Sequence, residues 1–248
     1  MACPWFGLWK PSYAVYIFVG RPGMGKTTAA LHLVAYDLWR RGVVSDYGDA
    51  LREAGKRLFL GRDLEELFVY IRNHVDNPEV DWLIIDDAAV GLHDMADPLV
   101  WAKFMDIIKT ARSAVAERGV IFTTTSVRFL SLRIRHAANV YYVKRDDLYV
   151  ATHRTPRGCI ISETQQPARY VAIVEVEDVL VGNIHFAHWN RAVQETRWRL
   201  VGAIPVSPEF AMPAEIEAAH IRARKERVKR AAEEALERLR ARRSRREE

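Results

Sequence analysis

Residues Gly20-Arg21-Pro22-Gly23-Met24-Gly25-Lys26-Thr27-Thr28 follow a β-branched and aromatic run, Tyr13 to Val19, and fit the spacing G-x-x-x-x-G-K-[ST]. A chain with this order has to place a strand, a tight glycine turn and a helix in immediate succession. The reason is electrostatic: a polyphosphate is held well where backbone N–H groups of a glycine-rich turn converge on it and the positive end of a helix dipole faces it. Gly20, Gly23 and Gly25 permit the turn, and Arg21, Pro22 and Met24 complete it. At this spacing Lys26 reaches the β- and γ-phosphates, and the Thr27 hydroxyl becomes a ligand for Mg²⁺, with Thr28 as a further helper. Downstream, Leu31, Val34 and Leu38 recur at helical spacing until Gly42 closes the element. The expected ligand is a nucleoside triphosphate with Mg²⁺.

A second constellation lies at Trp82-Leu83-Ile84-Ile85-Asp86-Asp87, an apolar run of the kind buried in a parallel sheet, ending in two carboxylates. It resembles the Walker B motif. That resemblance implies that Asp86 holds Mg²⁺ through its water shell. It also puts Asp87 where many such ATPases carry a glutamate that orients and deprotonates the attacking water, with a side chain one methylene shorter. Asp97-Pro98 then reads as an N-cap and first helical residue. Trp101, Phe104, Ile108, Ala111 and Val115 form the buried face of a long helix closed by Gly119. Val120 to Ser126 is the next strand, and its polar end, Thr123-Thr124-Thr125-Ser126, falls where P-loop ATPases place a sensor of the γ-phosphate or lytic water. Thr125 or Ser126 is the candidate, against the alternative that a threonine-rich strand is ordinary β chemistry.

Between these motifs, residues 57–60 read as a short strand. Asp63 and Glu66 read as the capped start of a helix with Leu64, Leu67, Phe68, Ile71 and Val75 on one stripe. Alternating strands and helices predict an α/β fold: a mostly parallel sheet with helices on both faces and the ligand at the carboxyl ends of the strands. From about residue 140 the pattern turns to strands, Val140–Lys144, Leu148–His153, Cys159–Ser162, Arg169–Val176 and Ile184–Trp189, with a hairpin around Thr155-Pro156-Arg157-Gly158. The expected division is an ATPase domain over 1–202 including this β-rich extension, a proline-rich linker at 203–213, and a charged, basic C-terminal helix over 214–248. In that helix Val228, Ala231, Ala235 and Leu239 form only a narrow stripe, so that it either docks on a protein partner or frays into solvent. Trp5, Phe6 and Trp9 either stack on the adenine or strap the N-terminal segment to the domain.

At 248 residues and 49% hydrophobic content the chain can bury a sizeable core, which excludes disorder as the default. No apolar run approaches the ~20 residues that cross a bilayer, and no leader pattern is read at the N-terminus, so no membrane span and a cytoplasmic location are expected. Cys3 and Cys159 stand apart without a CxxC partner, which gives neither a disulfide framework nor a zinc site. From Pro213 onward there are 12 Lys and Arg against 8 Asp and Glu, a surplus of four out of the net +5. Such a basic excess suits a polyanion such as nucleic acid, or else belongs to a solvated mixed-charge helix.

The paired motifs followed by a polar-ended strand resemble the ASCE division of P-loop ATPases, with RecA/AAA-like folds, over roughly residues 13–145. Two branches compete. In the FtsK/HerA-like group, with its viral genome-packaging and filamentous-phage assembly relatives, a turn resembling Leu132-Arg133-Ile134-Arg135-His136-Ala137-Ala138-Asn139 leads into the next strand. That branch lacks here the glutamine common at the end of the sensor strand. The DnaA/DnaC/IstB-like AAA+ group is similar in the Asp-Asp strand end, but its helical lid would fall where residues 140–189 read as strands. The first branch is favoured. Both imply a ring or filament of identical subunits in which a neighbour's arginine faces the γ-phosphate; Arg133 and Arg135 are the nominees, with Arg128 nearby. The implied function is a Mg²⁺-dependent ATP-hydrolysing motor that translocates, packages or remodels double-stranded DNA. The alternatives are a replication initiator or loader-like AAA+ ATPase, a nucleotide-switched assembly protein of a virion or secretion complex, and a small-molecule kinase. No guanine-reading NKxD segment occurs, which favours ATP.

Overall fold

The computed structural model describes residues 4–60, 64–74, 81–88, 106, 118–127, 130, 135–136, 138–145, 149–154, 160–165, 170–176 and 198–247. In chain order these form β1 (Trp5–Phe6), β2 (Ala14–Val19), α1 (Lys26–Arg40), α2 (Tyr47–Gly55), β3 (Leu58–Phe59), α3 (Leu64–His74), β4 (Trp82–Ile85), β5 (Gly119–Thr124), β6 (Asn139–Arg145), β7 (Tyr149–Arg154), β8 (Ile160–Gln165), β9 (Tyr170–Val176), β10 (Trp198–Pro205) and α4 (Ala214–Glu247). Of the helix expected from Asp97 up to Gly119, Asp106, which is helical, and Arg118 are described and the rest lies outside the described residues, as do the strand expected at 184–189, the tip of the hairpin at 155–158, Arg128 and Arg133.

The protein is α/β, built on an eight-stranded mixed sheet in the order β1-β10-β9-β6-β2-β5-β4-β3. From β6 to β3 every neighbouring pair is parallel, and β9, β10 and β1 extend the sheet antiparallel beyond β6. β7 and β8 pair antiparallel as a separate ribbon. The antiparallel flank is the strand-rich continuation expected after residue 140. It gains β10, whose alternation is broken by Arg199 and Gly202. β10 runs through Pro205, three residues past the expected boundary at 202; Pro205 lies beyond the last pair with β1, Trp5 with Ala203, where β10 is an edge on that side.

Side-chain alternation divides β2 between two cores. Ala14, Tyr16 and Phe18 face α1 and α2, with Trp82, Ile84 and Ile121 beside them. Val15, Ile17 and Val19 face the opposite side, where Leu67 and Ile71 of α3 pack with Leu83, Ile85 and Phe122. Helices therefore cover both faces of the sheet. α2 was not anticipated, although its start is written locally: the Asp46 side chain accepts a hydrogen bond from Asp49 N and caps the helix, and Ala50, Leu51 and Ala54 are buried. Gly42, with φ +70, follows α1 where a left-handed residue was expected to end it.

Asp37, wholly buried on α1, ties the sheet, the helix and the N-terminal segment together. It accepts hydrogen bonds from Trp9 Nε1 at 2.9 Å, Trp82 Nε1 at 2.8 Å and Arg118 Nη2 at 2.7 Å, with Arg41 Nε at 3.1 Å. Burial pushes its carboxyl up, but these donors more than offset that and hold it below the usual carboxylate value. Trp9 thus straps residues 5–9 to the domain, and Phe6 is buried as well, whereas Trp5 is largely exposed. Among the described residues no helix is long and apolar enough to cross a membrane.

The segment between β10 and α4 is also tied down. Its 3-10 turn, Pro208–Phe210, lies against His32 of α1. His32 Nε2 donates to the Phe210 carbonyl at 2.9 Å, which fixes the neutral tautomer with Nδ1 facing the Tyr47 hydroxyl at 2.9 Å. Burial pushes the His32 pKa down to about 4, partly countered by the Phe210 carbonyl. The folded value lies below the unfolded one, so the unfolded chain binds the extra proton between the two. Stability falls as pH drops from about 6.5 toward 4, by about 3 kcal/mol in total. Urea titrations of wild type and His32→Gln across this range are expected to diverge by roughly that amount; parallel curves would show that His32 is not buried neutral.

Candidate functional site

The site forms where β2, β4 and β5 end on the α1 side of the sheet. β2 delivers the chain into the glycine turn. Gly23 and Gly25 take φ +80 and +88, the left-handed region that glycine enters without strain. Gly20 is required for a different reason: a Cβ there would stand 2.4 Å from the Val143 carbonyl oxygen of β6. Gly20 N also donates to Thr124 O at 3.2 Å, joining the start of the turn to the end of β5. Gly25 abuts Val171 of β9, where an added Cβ would come within 3.0 Å of two methyl carbons. The antiparallel flank thus backs the turn.

Gly25 is the N-cap of α1 and no side chain caps the helix, so its first-turn amides are left to an outside acceptor. Arg21, Pro22 and Gly23 are exposed, Met24, Lys26, Thr27 and Thr28 half-buried, and a Cβ on Gly23 would meet nothing within 4 Å. Lys26 Nζ donates to the Arg21 carbonyl at 3.2 Å, folded over the loop. Burial lowers the Lys26 pKa, and the nearby charges of Asp87 and Asp86 pull against that shift.

Strand periodicity brings the acidic group to the same place. Trp82 and Ile84 face α1, so the next residue of that parity, Asp86, faces it too. The parallel register pairs Ile85 with Phe122, which sets Thr123 beside Asp86. Thr27 Oγ1 donates to Asp86 Oδ1 at 2.7 Å, and Thr123 Oγ1 donates to the same oxygen at 2.8 Å. His220 Nε2 of α4 lies 3.0 Å from Asp86 Oδ2. Burial pushes the Asp86 carboxyl up, but hydrogen bonds from His220, Thr27 and Thr123 more than compensate and hold it below the usual carboxylate value. Asp87, half-buried, sits at φ +51 with its N–H donating to Thr123 Oγ1 at 2.8 Å. Aspartate tolerates this left-handed conformation better than most residues, and it turns the chain sharply at the strand end.

The structure brings together Gly20 to Thr28, Asp86 and Asp87 from the sequence reading, and adds Thr123 and His220. Thr125 and Ser126 fall just beyond the end of β5, half-exposed; Ser126 O accepts from Thr124 Oγ1 at 3.0 Å. Thr123 belonged to the polar run already noted, but which of its hydroxyls meets Asp86 depends on sheet register, which adjacent residues do not encode. His220 stands 134 residues from Asp86 and gave no local signal. Arg135, the nominee within the described residues, is half-buried, with a buried Nε that meets no acceptor among them.

The donor set suits a hard cation with a triphosphate. Thr27 and Asp86 present neighbouring oxygen ligands, the type Mg²⁺ takes while keeping several waters, and they do so at an uncapped helix N-terminus beside a lysine. No model of a known protein family matches this chain, and no curated protein matches it.

Proposed function

We propose that this chain is a Mg²⁺-dependent ATPase of the ASCE division of P-loop proteins, acting as a ring of identical subunits on double-stranded DNA. The observation that supports this most is the 2.7 Å hydrogen bond from Thr27 to Asp86 at the uncapped start of α1. It brings two motifs 59 residues apart within hydrogen-bond reach, as a shared cation and phosphate site would require.

When bound, Mg²⁺ supplies neutralisation of charge on the phosphate oxygens. The chain's own residues do the rest. The amides of 23–28 orient the phosphates, Lys26 offsets the charge that develops on the γ-phosphate, and Thr27 and Asp86 serve the metal. Asp87 holds the attacking water and takes its proton, in a position set by the hydrogen bond between its backbone and Thr123. Arg135 is the nominated contact to a neighbour's γ-phosphate. The basic surplus of α4 favours a polyanionic partner.

Phosphate release with water as sole acceptor, followed with and without double-stranded DNA at rising salt, tests this reading. DNA is expected to stimulate hydrolysis, and the stimulation is expected to fade as salt rises, since lysine and arginine contacts to phosphates release counterions. Hydrolysis indifferent to DNA at every salt concentration would favour a nucleotide-switched assembly protein. Phosphate transfer that requires a small-molecule acceptor would favour a kinase.

A further inference from the structure

The Asp86 carboxylate is more crowded than a metal-serving group needs to be. Of the roughly four acceptor directions of a carboxylate, Thr27 and Thr123 fill two at Oδ1, and His220 takes one at Oδ2. The two threonines come from α1 and β5, inside the packed body, and by themselves fix how the carboxylate points. His220 is held differently. Ile216, one turn earlier on the same face of α4, packs against Gly55 at the end of α2, where even a Cβ would come within 2.2 Å of its Cδ1. Beyond His220 the helix leaves the body, and Ile221, Val228 and Leu236 are 46%, 65% and 52% exposed. The imidazole is itself 30% exposed. Mg²⁺ takes oxygen ligands and keeps its waters. A ring nitrogen 3.0 Å from Oδ2 therefore occupies an acceptor direction that a metal-held water would otherwise use, and imidazole is a poor ligand for Mg²⁺.

We propose that α4 is a latch on the nucleotide site: His220 holds the second oxygen of Asp86 in the nucleotide-free protein, and Mg²⁺ arriving with a triphosphate competes for that oxygen and releases the first turns of α4. This rests on the nucleotide reading above. Residues 221–247 extend ~40 Å past the anchor at 1.5 Å per residue, so a small tilt at His220 becomes a large displacement at the far end. A partner held there would sense whether the site is filled. The coupling is reciprocal: whatever fixes α4 in the latched position weakens binding of Mg²⁺ with the triphosphate.

The full chain, as wild type, His220→Ala and His220→Gln, is titrated with the β,γ-imido analogue of ATP in Mg²⁺ and in EDTA, and amide hydrogen exchange is followed over residues 214–222. In wild type, the analogue with Mg²⁺ is expected to speed exchange in this segment, and the analogue in EDTA is not. His220→Ala is expected to exchange fast without ligand and to bind the analogue about tenfold tighter in Mg²⁺, the scale of one charge-assisted hydrogen bond, with its EDTA affinity unchanged. His220→Gln keeps a donor and is expected to behave as wild type. Binding in which His220→Ala equals or falls below wild type in Mg²⁺, with exchange over 214–222 unmoved by ligand, overturns the latch alone. Absence of analogue binding in all three proteins overturns the nucleotide reading and the latch with it.

Discussion

Asp37→Ala is expected to destabilise the fold by about 3–5 kcal/mol, a cost typical of removing one partner from a buried charge network. It would be a large fraction of the 5–15 kcal/mol, roughly, that a domain has in total. Asp37 is fully buried and serves donors from three separate parts of the chain: Trp9 before β2, Trp82 opening β4, and Arg118 just before β5. Without the carboxylate the Trp82 indole N–H stays buried with no acceptor, Arg118 loses its carboxylate partner, and Arg41 keeps only its ion pair with Asp81. Trp9→Phe removes the indole hydrogen bond to Asp37 and weakens the stacking of the Arg40 guanidinium over the ring, and is expected to cost about 1–2 kcal/mol. Urea denaturation of the two variants checks both values. A loss below about 1 kcal/mol for Asp37→Ala would mean that water replaces the carboxylate without penalty, and that the node does not hold the strap to the sheet.

Lys26→Ala is expected to reduce ATP hydrolysis by at least about 10²–10³-fold, the range seen when one preorganised group facing developing charge is removed. The fold is expected to survive, because the lysine's one hydrogen bond is to the exposed carbonyl of Arg21 within its own loop. Lys26→Arg is not expected to rescue: a planar, forked guanidinium does not replace a compact ammonium that must reach between phosphates over a tight turn. Phosphate release and thermal melting on the same samples separate the two effects. Wild-type turnover in Lys26→Ala would place the chemistry elsewhere.

What the sequence made legible follows from the range over which each signal acts. The glycine turn, α1, and strands β2 and β4 are encoded within about ten residues, by strand alternation, helical spacing and glycine's tolerance of positive φ. That Asp86 faces Thr27 could be expected from the two motifs together, because the spacing of each is tied to one kind of site. α2 was readable in principle from Asp46 and the buried Ala50, Leu51 and Ala54, but nine residues with little apolar content resemble a loop. β10 was hidden because Gly202 and a register shift between Leu200 and Gly202 interrupt its alternation. The rest lay beyond local reading. Asp37 gathers partners 28, 45 and 81 residues away, Thr123 reaches Asp86 only through sheet register, and His220 arrives from a helix seated by Ile216 against Gly55, after the contact of Phe210 with His32. Such contacts are decided by topology, which no single segment carries.

The most direct test of the site is equilibrium binding of ATP to wild type and to Asp86→Asn, each measured in Mg²⁺ and in EDTA. Asparagine keeps the shape and one acceptor oxygen but loses the negative charge that serves the cation. The expected result is that Mg²⁺ tightens ATP binding to wild type and that this gain collapses in Asp86→Asn, while the EDTA affinities stay close. A gain of equal size in both proteins would contradict a metal ion shared between Thr27 and Asp86.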